Sequence, residues 1–89
     1  MKINSKYKLR NVAGEHLILL PGSKGGEMSK VMAFNSSSKL LWDNLYDRDF
    51  SINDVQKLLL DNFDVSDEVA LHDAEKWVQT LKDNGIIFE

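Results

Sequence analysis

The sequence predicts an α+β fold, a small three-stranded antiparallel sheet followed by three helices in a winged-helix-like order. Three observations lead there. Short apolar runs broken by turn residues fill the first third of the chain, which also holds the single Pro and four of the five Gly. From about residue 40 onward the apolar residues recur at helical spacing. Polar residues suited to helix N-caps stand before each periodic stretch.

Taken in order, Tyr7 to Val12 alternates weakly, Ala13-Gly14-Glu15 supplies turn chemistry, and His16 to Leu20 is a compact apolar run, which together read as a hairpin. Pro21 to Gly26 reads as a loop, and Lys30-Val31-Met32-Ala33-Phe34 as a third strand in which Met32 and Phe34 share the core-facing pleat. Asn35 to Ser38 offer caps for a first helix over about Ser37–Tyr46, with Leu40, Leu41, Trp42 and Leu45 at helical spacing. Ser51, with Asp54 three residues on, suits a capping box. Ile52, Val55, Leu58, Leu59 and Phe63 then trace one face of a second helix. Ser66 caps a third, whose first turn carries Asp67 and Glu68 beside the positive end of the helix dipole. Ala70, Ala74, Trp77 and Leu81 form its expected core stripe, and Gly85 stops it. Ile86-Ile87-Phe88 is expected to fold back onto the core.

With 89 residues, 43% apolar and 28% charged, the chain is expected to be one globular domain spanning residues 1–89. The absence of cysteine excludes disulfides, zinc-thiolate and iron–sulfur ligation and thiol catalysis. No apolar stretch follows the charged N-terminal residues, so neither a secretory signal nor a membrane span is expected, and the cytoplasm is the expected location. His16 and His72 lack converging ligands, so no metal site is expected. No Gly-x-Ser-x-Gly elbow occurs, and the glycine-rich loop lacks the Gly-Lys-Ser/Thr that cradles phosphate. No catalytic residue and no cofactor are assigned.

The net charge of −3 conceals an asymmetry: seven Lys/Arg against two acids up to Lys39, then four against twelve. A winged-helix nucleic-acid-binding or regulatory module is the rival reading. Its third helix would meet phosphates, but from Asp67 to Asp83 this one carries five acids and two lysines. Nucleic acid is therefore not an expected partner.

An edge strand presents unpaired N–H and C=O groups, a template for an added peptide strand. The expected peptide site joins Lys30, Val31, Met32, Ala33 and Phe34 to a second stripe on the third helix, Leu71, Glu75, Val78 and Lys82. Val78 is the expected apolar wall. Lys82, with Lys30, would steer an acidic residue of the peptide. The same open edge would also pair two copies into a homodimer.

Several motifs then fall in a familiar order: Leu17-Ile18-Leu19-Leu20, Phe34-Asn35-Ser36-Ser37, Leu41-Trp42-Asp43-Asn44-Leu45, Val55-x-x-Leu58, Phe63, and Asp73-Ala74-x-x-Trp77-Val78-x-x-Leu81-x-x-x-Gly85-Ile86-Ile87. From about Tyr7 to Phe88 the chain resembles the PqqD family of coenzyme PQQ synthesis proteins. It departs from many relatives after the first helix, where Tyr46-Asp47-Arg48-Asp49-Phe50 replaces an Asp-Gly turn. The resemblance implies a RiPP recognition element, a non-catalytic peptide chaperone. Such a module binds the leader of a ribosomally made precursor peptide by strand addition and presents it to a radical-SAM maturase, in a PQQ-type or other peptide-modification pathway. The iron–sulfur chemistry would then belong to that partner enzyme.

Overall fold

The computed structural model describes residues 1–20 and 30–89. The loop expected over Pro21–Gly26 lies outside the described residues. The order of elements is β1 (Lys2–Ile3), β2 (Arg10–Val12), β3 (Glu15–Leu20), β4 (Lys30–Phe34), α1 (Ser36–Leu45), α2 (Ile52–Asn62), α3 (Asp67–Asp83) and β5 (Ile87–Phe88). The expected three-stranded antiparallel sheet is β2-β3-β4, with three helices after it, so the fold is α+β.

Val12 pairs with Glu15, which leaves Ala13 and Gly14 as a two-residue hairpin loop, both at positive φ (53° and 83°). That geometry matches the twist of the flanking strands. Strand β2 begins only at Arg10; upstream of it, the amide of Tyr7 donates to the carbonyl of Asn4 in a turn. In the β3–β4 register His16 faces Phe34 and Ile18 faces Met32. Ile18 and Phe34 are buried and Met32 packs beside them, so this pleat face meets the helices. The alternate face, with Leu19 and Val31 about half exposed, is turned to solvent.

Each helix begins where its side-chain chemistry places it. Asn35, rather than one of the serines, caps α1, accepting from the Ser38 amide and the Ser37 hydroxyl, both at 2.9 Å. Ser51 and Asp54 form the reciprocal capping box of α2. Ser66 accepts from the Val69 amide at the start of α3. The end of α3 is a Schellman turn: Gly85 (φ 73°) donates to the carbonyl of Lys82, and Ile86 to that of Leu81. After α1 the chain turns through Asp47 in the left-handed region (φ 61°), a conformation Asp tolerates better than most residues, so the missing glycine does not abolish the turn.

The C-terminal tag does more than rest on the core. β5 pairs antiparallel with β1, Ile3 opposite Ile87, in a second two-stranded sheet. The amide of Asn4 also donates to the carbonyl of Ile86, and the Phe50 amide to the carbonyl of Met1. Ile3, Ile86 and Ile87 are buried, so both chain ends contribute to one core with Trp42, Leu45, Val55, Leu59 and Leu81.

The face of α3 departs from the expected stripe. Ala70, Ala74, Val78 and Leu81 are its buried residues, whereas Trp77 is only half-buried. Helix α3 packs chiefly against α2, and this partner turns the buried face toward Val78 and away from Trp77.

Candidate functional site: a groove between a sheet edge and a helix

Strand β4 ends the three-stranded sheet, paired with β3 along one side only. Beyond its open side runs a groove of about 390 Å³, floored by Phe34, Leu41, Leu59 and Leu81 and walled by Met32 and Trp77. Phe34 packs edge to face against the Trp42 ring, with centroids 5.5 Å apart. Because Phe34 is followed directly by the Asn35 cap, the edge strand passes into α1 without a loop, and that junction forms one end of the groove. A second cavity continues from there past Asn35 and Ser37 to Phe63 and Val65, sharing Leu59 and Asp73 with the first.

The α3 side of the groove is Asp73, Lys76, Trp77 and Thr80. None of the four was expected there. Of the stripe predicted instead, Val78 is 2% exposed and belongs to the core, and so cannot act as an apolar wall open to a ligand. Leu71 and Glu75 are exposed but outside the groove lining. Lys82 is half-buried, with its ammonium 3.3 Å from Glu89, and is likewise outside the groove. Apart from Val78, which is in the core stripe itself, the two sets occupy opposite flanks of that stripe: residues 71, 75 and 82 on one side, 73, 76 and 80 on the other.

Of the β4 residues, Met32, Ala33 and Phe34 line the groove. Val31 projects from the solvent-facing pleat, 56% exposed. The side chain of Lys30 lies outside the described residues. Spacing alone assigns Trp77 to the core; the signal that points to the groove is a large amphipathic ring among the polar residues Asp73, Lys76 and Thr80 on that flank of the third helix. Among the described residues, no three His, Asp or Glu side chains are grouped to hold a metal ion, and no helix is long and apolar enough to cross a membrane.

An open sheet edge, a helix across from it and an apolar floor between them define a class: small α+β proteins with a groove between an edge strand and a helix. The family model for coenzyme PQQ synthesis protein D (PqqD) matches residues 15–87, and the chain belongs to this family. The match spans β3 to the first residue of β5, includes every element that bounds the groove, and makes the protein by family an accessory of coenzyme PQQ synthesis. No curated protein and no solved structure matches the chain.

Proposed function

We propose that the protein is a non-catalytic module that binds the leader segment of a ribosomally made precursor peptide and presents it to a radical-SAM maturase. The observation that carries this reading is the open edge of β4 set beside a groove with an apolar floor. A leader entering as a strand would satisfy the outward N–H and C=O groups of β4 and rest alternate side chains on Met32, Phe34 and Trp77. Main-chain hydrogen bonds contribute only about 0.5–1.5 kcal/mol net each, so the apolar floor must supply much of the roughly 8 kcal/mol that micromolar affinity requires. The reaction belongs to the partner enzyme, in the cytoplasm. The whole chain acts as one domain, and a homodimer paired through β4 would compete with the leader for the same edge. Phosphate binding is disfavoured by the excess of acids along α3.

Amide-shift mapping with a cognate leader tests the proposal. Shifts are expected in β4 and on the Asp73–Thr80 flank of α3. Shifts confined to β2 and α2, with β4 silent, would overturn it.

A further inference from the structure

The indole Nε1–H of Trp77 is shielded from solvent, yet no described atom accepts its hydrogen bond. Unpaired buried donors are few in native proteins and call for an explanation. Here the ring that carries the donor is half-buried and lines the groove. Beside it, Lys76 is exposed, lines the same groove, and takes part in none of the ion pairs among the described residues. Trp77 and Lys76 are thus consecutive residues of α3 on the lining of one groove, one with an unpaired indole donor and the other with an ammonium in no ion pair among the described residues.

We infer that the peptide held in this groove carries an Asp or Glu whose carboxylate accepts from Trp77 Nε1 and pairs with Lys76. The inference rests on the peptide-binding reading above and names the chemistry that this site selects. A carboxylate suits both donors at once, and charge-assisted hydrogen bonds are the stronger kind. Asp73, one turn back along α3, repels a carboxylate at its own end of the groove and so confines the acidic side chain to the Lys76 end. The flanking floor of Phe34, Leu41 and Leu81 takes apolar residues on either side. Since Nε1 is covered, docking must turn the indole toward the groove, a side-chain adjustment common at interfaces.

The test is a library of 12-residue peptides, random at every position, selected against the full chain. The protein is expected to enrich peptides with apolar residues at alternate positions and one acidic position among them. Both Trp77→Phe and Lys76→Gln should keep the apolar pattern and lose the acidic preference. Replacing Glu by Gln in a selected peptide should weaken binding to the unaltered protein about tenfold or more, and change binding to Trp77→Phe little. The Trp77 indole proton should move downfield only with the acidic peptide, which decides the matter even if Trp77→Phe fails to fold. Enrichment without an acidic position, as for a main-chain acceptor, or an acidic preference undiminished in both variants, overturns the inference alone. If no peptide is enriched, the peptide groove itself is overturned and this inference with it.

Discussion

Phe34, the last residue of β4, meets Trp42 of α1 edge to face, with ring planes at 81° and centroids 5.5 Å apart. The positive edge of one ring thus approaches the face of the other, the arrangement aromatic pairs prefer. The contact ties the end of the edge strand to the first helix and so sets one end of the groove.

Trp42 is 3% exposed, and truncation to Ala is expected to cost about 3–5 kcal/mol. Small domains have about 5–15 kcal/mol in total, so Trp42→Ala should unfold at a far lower urea concentration. An unchanged urea midpoint would place Trp42 outside the core.

Val78 and Leu71 give a paired test of the α3 face. Val78→Asp buries a carboxylate with no partner and is expected to cost several kcal/mol, enough to lose the folded state rather than binding alone. Leu71→Asp, at a site 38% exposed, should change stability by no more than about 0.5 kcal/mol. Thermal melts check both, and the reverse ranking would show the helix face to be misassigned.

Ala13 holds a positive φ in the hairpin loop, a conformation that Asn adopts at lower cost. Ala13→Asn should therefore stabilise the protein by roughly 0.5–1 kcal/mol, whereas Gly14→Ala, at φ 83°, should destabilise it. Calorimetry on the two variants is the check, with opposite shifts in Tm expected.

The capping box of α2 supports the helix that aligns α3. Ser51→Ala removes the acceptor for the Asp54 amide and should cost about 1 kcal/mol, read from chemical denaturation. A cost near zero would mean that water replaces the hydroxyl without loss.

Local chemistry made the helices and the first hairpin legible in the sequence. Ser51 with Asp54, Ser66 before two acids, and Gly85 after α3 each act within one turn of chain, so their effect is written in neighbouring residues. The pairing of Lys2–Ile3 with Ile87–Phe88 was not legible in the same way. Two-residue strands carry no period of their own, and what joins them is the folding together of chain ends more than 80 residues apart in the sequence.

The candidate site divides along the same line. By itself the sequence determined the strand over Lys30 to Phe34, because a short apolar run ended by the cap at Asn35 is a local signal. It also determined that α3 would bury one stripe containing Ala70, Ala74 and Leu81. Only the tertiary structure decided which flank of that stripe faces β4. Residues on both flanks lie about equally far from the stripe, and apolarity favoured the side of Leu71 and Val78. The packing of α3 on α2 buried Val78 and brought the polar flank of Asp73, Lys76 and Thr80, with Trp77, to the groove. A helix's period shows which residues go inward; which of its two sides meets a neighbouring strand depends on how the helix is rotated against partners distant in sequence.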